Sequence, residues 1–200
     1  MRRLKDWSRD QIIEYNLRGG GEEFTVFEEG QPARVEKARE IIRTILAQPA
    51  LAGKLATIVE PGCSTGDIAG YFAEQHNVIG IDVTPGACRV ARQRWPEMAV
   101  LNGIAENEKP IPCDILVLCE FLEHIVDPVG FIESWAPHAR YIVIGHPLVG
   151  NGYDNEPGHL WAYDDNDYRH WFELGGYEAR TAWTFEMAGY LMIIGWGERQ

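Results

Sequence analysis

A chain of 200 residues with 46% apolar content can bury one substantial core and is too short for a second full domain. Its 30 acids against 18 bases leave a formal charge of −12, which repels a phosphate backbone and makes nucleic acid a disfavoured partner. The cysteines Cys63, Cys88, Cys113 and Cys119 form no Cys-x-x-Cys pair and no apolar run approaches the ~18 residues that span a bilayer, so a disulfide framework, a zinc cage and a membrane span give way to a soluble chain in a reducing cytoplasm.

Residues 1–33 show no clear strand and contain the run Gly19-Gly20-Gly21; a short helix is predicted at 8–17 with Ser8 as its cap, and the segment reads as an arm or a lid ahead of a main domain at 34–200. Residues 36–47 carry Ala38, Ile41, Ile42, Ile45 and Leu46 at helical spacing, stopping before Pro49. Strands and helices then alternate. Continuous apolar runs predict strands at 56–60, 78–82, 99–102, 114–119 and 141–145, the pattern of parallel strands covered on both faces. Between them helices are predicted at 67–76, at 85–94 with Thr84 as cap, and at 128–135 with Asp127 as cap and Pro128 at the first position. A last helix at 165–174 closes on Gly175-Gly176, and strands at 177–185 and 189–196 are close enough to pair as an antiparallel hairpin. The order predicts an α/β, doubly wound, mostly parallel seven-stranded sheet with a C-terminal antiparallel hairpin. Ligands of such sheets bind beyond the carboxyl ends of the strands where the winding reverses, which gathers residues 60–66, Asp82, Ile104 and Cys119 around one crevice.

Residues 56–66, Ala-Thr-Ile-Val-Glu-Pro-Gly-Cys-Ser-Thr-Gly, run from an apolar strand through an acid into a glycine turn. Gly62 and Gly66 allow a sharp turn close to a ligand. About twenty residues on, Val78-Ile79-Gly80-Ile81-Asp82 ends a second strand in a carboxylate, the spacing of an acid that accepts ribose hydroxyls. The dinucleotide pattern Gly-x-Gly-x-x-Gly fails at two of three positions, since Gly62 is followed by Ser64 and Asp67. Asp67 also places a negative charge where a pyrophosphate would dock. A nucleoside cofactor without phosphate fits better, and S-adenosylmethionine, with its cationic sulfonium, suits an acid-rich crevice.

The sequence resembles the class I methyltransferases, in the branch that reads roughly Glu-x-Gly-Cys-Gly-Thr-Gly, then an Asp-ended strand, then Glu-x-x-Glu-His-x-x-Asp-Pro. The stretches that carry the resemblance are Glu60-Pro-Gly-Cys-Ser-Thr-Gly66, Ile79-Gly-Ile-Asp82, Asn102-Gly-Ile-Ala-Glu106, Cys113-Asp-Ile-Leu-Val-Leu-Cys-Glu-Phe-Leu-Glu-His-Ile-Val-Asp-Pro128 and Gly158-His-Leu-Trp161. It spans residues 34–197 and implies a Rossmann-like methyltransferase fold, with S-adenosylmethionine held by Glu60, Gly62, Cys63, Ser64, Gly66, Asp82, Val83, Ile104, Ala105 and Cys119. Two positions depart from the pattern. Ser64 replaces the middle glycine, and Ile104 stands where the family often has an Asp for the adenine amine, which leaves that contact to backbone groups near Ile104 and Ala105.

Glu120, Glu123 and His124 sit at i, i+3 and i+4, one face of a helical turn, and His159 in the later loop could complete a two-carboxylate, two-histidine shell. Such a donor set admits magnesium, manganese, cobalt or iron, and resembles that of metal-dependent O-methyltransferases of the ubiquinone pathway and of small-RNA ribose methyltransferases. The plainer alternative is that the acids answer a helix dipole and the histidine bonds a carbonyl. Without a cation, His124 or His159 is the candidate base; His146 is a further candidate, weighed against an ordinary loop histidine beside Pro147. Trp161 and Tyr153 are expected near the acceptor, Trp171 and Phe172 in the core, and Arg89, Arg92 and Arg94 on a solvated helix face. The expected function is a cytoplasmic S-adenosylmethionine-dependent methyltransferase acting on a small molecule, at oxygen, with Mg or Mn at the acidic site. Transfer to nitrogen or carbon without an ion is the alternative within enzymes, and a non-catalytic cofactor-binding or regulatory protein the alternative outside them.

Overall fold

The computed structural model describes residues 1–19, 32–150, 158–187 and 190–200. In chain order they form β1 (Arg2–Arg3), α1 (Arg9–Gly19), α2 (Pro32–Leu46), β2 (Thr57–Pro61), β3 (Asn77–Asp82), α3 (Pro85–Arg94), β4 (Ala99–Asn102), β5 (Cys113–Cys119), α4 (Pro128–Trp135), β6 (Ala139–Pro147), β7 (Trp161–Ala162), α5 (Asp165–Gly175), β8 (Tyr177–Met187) and β9 (Tyr190–Arg199). Seven strands make one sheet in the order β4-β3-β2-β5-β6-β9-β8. The first five are mutually parallel, and β9 runs antiparallel to both β6 and β8. The winding reverses between β2 and β5, the place where open α/β sheets bind ligands. Among the described residues no helix is long and apolar enough to cross a membrane.

Successive strand residues feed two different apolar layers, which is why the strands read as unbroken apolar runs. Ile58, Ile115, Val117, Tyr141 and Val143 meet Ala38, Ile41, Ile42 and Ile45 of α2 and Cys88 and Ala91 of α3 on one face. Val59, Leu116, Leu118, Ile142 and Ile144 meet Phe131, Ile132 and Trp135 of α4 and Tyr168, Trp171 and Phe172 of α5 on the other. Trp171 and Phe172 are each 1% exposed, in the core as their helical spacing predicts.

Helix ends follow the predicted chemistry in most places. Asp127 accepts from the Gly130 amide (2.9 Å), and Gly176 closes α5 in the left-handed conformation at φ +74°. At α1, Ser8 and Gln11 form a capping box: the Gln11 amide reaches Ser8 Oγ at 3.4 Å, and Gln11 Oε1 accepts from the Ser8 amide at 2.8 Å. Thr84 sits at the predicted cap position of α3, yet its side chain caps nothing.

Two expectations change. The helix predicted at 67–76 is a string of turns containing only a 3-10 turn at Gly70–Phe72. Its hydrogen bonds mix spacings, with Phe72 N to Ala69 O beside His76 N to Phe72 O. Trp95 explains the break: a Cβ on Gly66 or Gly70 would come within 2.9 or 2.6 Å of its ring, so glycine is required where helix propensity most needs another residue. The second change is β1, a strand in the segment where none was evident, paired with β7 outside the main sheet.

Gly80 lies in the middle of β3, and a Cβ there would stand 2.2 Å from Met98 Cε and 2.6 Å from Cys63 Sγ. The methionine end can swing away; Cys63 belongs to the loop after β2 and cannot. Gly80→Ala is therefore expected to cost about 1–3 kcal/mol in urea unfolding, whereas an unchanged midpoint would mean that the space is open.

Candidate active site

β2 ends at Pro61, and the next five residues turn the chain through three left-handed positions, Gly62 (φ +72°), Ser64 (φ +47°) and Gly66 (φ +76°). The turn is held from β3. Both the Gly62 and Cys63 amides donate to the Ile81 carbonyl, at 2.8 and 3.2 Å. Asp82 Oδ2 accepts from the Ser64 amide and Oδ1 from the Thr84 amide, each at 2.8 Å. One carboxylate thus ties the loop after β2 to the loop after β3, which offsets the strain of a non-glycine residue at position 64. Gly62 is needed twice over, since a Cβ would also meet the Phe121 ring at 2.7 Å.

This loop floors a cavity of about 390 Å³. Gly62, Ser64, Asp82, Val83, Ile104 and Ala105, expected from the sequence to hold the cofactor, are among its lining residues. Glu120, Phe121, His124 and His159 line it too. The remaining predicted cofactor residues, Glu60, Cys63, Gly66 and Cys119, support the floor and are not lining residues. Glu60 is buried with Oε2 accepting from the Ala69 amide (3.1 Å), and loss of solvation raises its pKa to about 8. Burial likewise pushes the Cys119 thiol up to about 12.

Among the lining residues outside the predicted site are Ile12, Ile13 and Asn16 of α1, and Arg34 in the first turn of α2. Arg34 precedes the apolar periodicity that betrays α2, and α1 is too polar for its inward face to stand out. The Ser8-x-x-Gln11 box was the available signal for α1.

After β5 the chain does not form the helical turn that would align Glu120 with Glu123 and His124. Glu120 is left-handed at φ +53°, its amide donating to the Gly145 carbonyl (2.8 Å), and only Leu122–His124 form a 3-10 turn. Glu120 therefore turns toward Arg34, 3.9 Å away, and the expected four-donor set becomes three. Ligand atoms of Glu123, His124 and His159 all lie within 4.8 Å of one another. Glu123 is 1% exposed and neither carboxylate oxygen has a hydrogen-bond partner; burial, then the charge of Glu120, holds its pKa well above the carboxylate range. The His124 ring contacts the Gly158 carbonyl through Nδ1 at 3.0 Å. A carbonyl only accepts, so Nδ1 carries the proton and Nε2 keeps its lone pair. Desolvation lowers the His124 pKa to about 4.

The other candidates lie elsewhere. His146 is fully buried, its Nδ1 3.1 Å from the Pro147 carbonyl and its ring between Tyr163 and Tyr168, so it is a core histidine away from the cavity. Trp161 donates its indole N–H to the Ile125 carbonyl at 2.8 Å, a bracing contact in place of the expected acceptor wall. Tyr153 is outside the described residues. Arg89 and Arg92 lie on the solvated face as expected, while Arg94 pairs with Asp67 at 2.5 Å and quenches the charge at that turn.

Residues 59–139 match a family model described as a methyltransferase domain. This segment is similar to methyltransferase domains. Among curated proteins, the ubiquinone biosynthesis O-methyltransferase of Xylella fastidiosa is 29% identical over 89 residues, 40% of this chain and 36% of that protein, so the chain matches about a third of its relative's length. Among solved structures, the N-methyltransferase NodS from Bradyrhizobium japonicum in complex with S-adenosylhomocysteine superposes with a TM-score of 0.72 at 16% identity, covering 94% of this chain and 98% of that one. The magnesium protoporphyrin IX methyltransferase from Synechocystis, also with bound S-adenosylhomocysteine, gives 0.70 at 14% identity, covering 96% and 100%. The chain therefore shares the seven-stranded fold of these two solved methyltransferase structures.

The burial of His146 has a readable consequence. Desolvation lowers its pKa from 6.5 to about 4, against an opposing pull from Asp164, Asp165 and Asp167 and the Pro147 carbonyl. Between those values the unfolded chain binds a proton that the folded chain refuses, so its contribution to stability is full above pH 6.5 and is lost as pH falls toward 4, by up to ~1.4 kcal/mol per pH unit. The unfolding free energy of wild type minus that of His146→Phe should shrink from pH 7 to 4.5; parallel curves would mean that the folded protein accepts the proton.

Proposed function

We propose that this chain is an S-adenosylmethionine-dependent methyltransferase that methylates a small molecule at oxygen, assisted by a divalent cation at Glu123, His124 and His159. The observation that carries the reading is one cavity with two chemistries in its lining: the loop at 62–64 tied to Asp82, and His124 with His159. Asp82 suits the ribose hydroxyls, and backbone groups at Ile104 and Ala105 suit the adenine. Arg34 and Glu120, 3.9 Å apart, present opposite charges that match the zwitterionic amino acid end of the cofactor. No cluster of cations is needed, because this ligand has no phosphate. Two of the structural relatives are named for small-molecule substrates, magnesium protoporphyrin IX and 1,6-didemethyltoxoflavin, which supports a small-molecule acceptor.

Methyl transfer is an in-line displacement at carbon. The sulfonium is already activated, so the protein aligns the acceptor and removes its proton, and alignment alone supplies up to about 7–11 kcal/mol in the best cases. A hydroxyl resists deprotonation near neutral pH. His124 Nε2 is unprotonated there, but with a pKa of about 4 it is a weak base for that task. The donor trio fits a cation on chemical grounds: a buried carboxylate with both oxygens unpartnered beside two imidazoles, one with its tautomer set by Gly158. Bound there, a magnesium or manganese ion would lower the pKa of an acceptor hydroxyl. Glu123, which burial otherwise drives toward its neutral form, would supply the negative charge of the site.

A second reading is transfer to nitrogen without an ion. It asks less of His124, whose lowered pKa makes it a weak base, because an amine acceptor needs only to be neutral and the product ammonium can lose its proton to solvent.

Calorimetry with S-adenosylhomocysteine tests the cofactor assignment: Asp82→Ala should weaken binding at least about tenfold, ~1.4 kcal/mol, and a wild type that ignores the ligand at millimolar concentration ends it. Turnover of a catechol acceptor should vanish with excess chelator and return with magnesium or manganese. Glu123→Gln should lose the same turnover while holding S-adenosylhomocysteine within about twofold of wild type, that is within ~0.4 kcal/mol. Undiminished turnover in chelator removes the cation and leaves the ion-free reading.

A further inference from the structure

The segment that carries His159 is held from two sides. Toward the cavity it bonds the turn that bears Glu123 and His124: the Leu160 amide donates to the Glu123 carbonyl (2.8 Å), the Trp161 indole to the Ile125 carbonyl (2.8 Å) and the Tyr163 hydroxyl to the Leu122 carbonyl (2.9 Å). Its outer edge is covered by residues 2–4. β1 pairs antiparallel with β7, Arg2 opposite Ala162 and Arg3 opposite Trp161, and the Leu4 amide donates to the Leu160 carbonyl at 2.8 Å. Leu160 is thus a middle rung, with its amide on Glu123 and its carbonyl on Leu4.

Arg3 joins these parts. Its guanidinium lies 5.2 Å from the centre of the Trp161 ring, its Nε–H donates to the Lys5 carbonyl at 3.0 Å, and it pairs with Asp6 at 3.2 Å. Residues 5–8 then lead into α1, whose Ile12, Ile13 and Asn16 wall the cavity. Two strands of two residues each, apart from the main sheet, have too few hydrogen bonds to persist alone. A cation over an indole contributes as much as one such bond, which makes Arg3 a deciding contact. The side chain is exposed and lies outside the core, so its removal should loosen the rung and spare the sheet.

We propose that Arg3 is a positioning residue for His159: through Trp161 and the β1–β7 pairing it fixes the donor segment against Glu123 and His124, so that a divalent cation meets three donors already converged. The metal part of the proposal rests on the cation reading above; the positioning of the segment by Arg3 does not.

Wild type, Arg3→Ala and Arg3→Lys can be compared by cobalt(II) titration followed in visible absorption, by S-adenosylhomocysteine calorimetry, and by amide exchange over residues 158–163. Arg3→Ala should weaken cobalt about tenfold and speed exchange in 158–163 by a similar factor, with cofactor-product affinity within about twofold of wild type and unchanged exchange in the core strands. Arg3→Lys, which keeps a cation over the ring, should fall between the two. Wild-type exchange in Arg3→Ala overturns the proposal, as does an equal loss of cofactor-product and cobalt affinity. A wild type that takes up no cobalt sinks the cation site; the positioning role then stands or falls on the exchange rates.

Discussion

The site hangs on the carboxylate of Asp82. Its two oxygens take one amide from the loop after β2 and one from the loop after β3, at 2.8 Å each. Parallel neighbours end side by side, so without such a tie each loop would be free to choose its own path. With it, Ser64 is held in a left-handed conformation that a non-glycine residue seldom adopts, and the floor of the cavity is set before any ligand arrives. Phe121 and Cys63 lock the same loop from below and beside, through contacts that leave no room for a Cβ on Gly62 or on Gly80. The precision of the cavity is therefore a packing result as much as a hydrogen-bonding one.

Burial then sets the charge states around that floor. Glu60 is lifted to about 8 and Glu123 well above the carboxylate range, while His124 is lowered to about 4. All three shifts favour the neutral form, as expected where solvent is excluded and counter-charges are few. Much of the acidity that the composition suggests is thus muted within the site. Asp82, Glu106 and Glu120 are the acids that line the cavity, and burial raises the pKa of Asp82 and Glu106 as well. The Glu123 carboxylate differs from Glu60 in one respect: Glu60 has an amide on its Oε2, whereas neither Glu123 oxygen has a partner. Buried carboxylates are seldom left bare, and this one lies against two imidazoles.

The sheet was readable because parallel strands covered on both faces are apolar at every position, a signal that does not depend on register. Cap residues added the helix starts at Asp127 and the stop at Gly176. What escaped was local geometry under tertiary control. Glu-x-x-Glu-His has the spacing of one helical face, but the left-handed Glu120 takes its side chain off that face, and nothing in the five letters announces a positive φ at a glutamate. The segment after the glycine loop has helical composition, yet Trp95, almost thirty residues away, demands glycines where a helix would not want them. His146 and Trp161 looked available because each follows or precedes a loop; their burial and bonds come from α5 and from the turn after β5, which lie far off in sequence. Arg34 was invisible for the opposite reason, since a lone arginine before an amphipathic stretch has no pattern to belong to.

The N-terminal residues show why a boundary drawn in sequence need not be a boundary in the site. Residues 2–4 carry no apolar period and form too short a strand to be recognised, yet their pairing covers the outer edge of the segment that bears His159. α1, which follows, puts Ile12, Ile13 and Asn16 on the cavity wall, and its Tyr15 lies near enough to Gly158 that a Cβ there would be 3.1 Å from the ring. That same Cβ would be 3.3 Å from His124 Nδ1. Gly158 is therefore a point at which α1, the donor segment and the His124 ring meet. The absence of a side chain there lets the Gly158 carbonyl approach Nδ1 to 3.0 Å and fix the tautomer. A bulkier residue would separate α1 from the ring and the ring from its acceptor in one move, so the small residue at 158 is as much part of the site's chemistry as the histidine beside it.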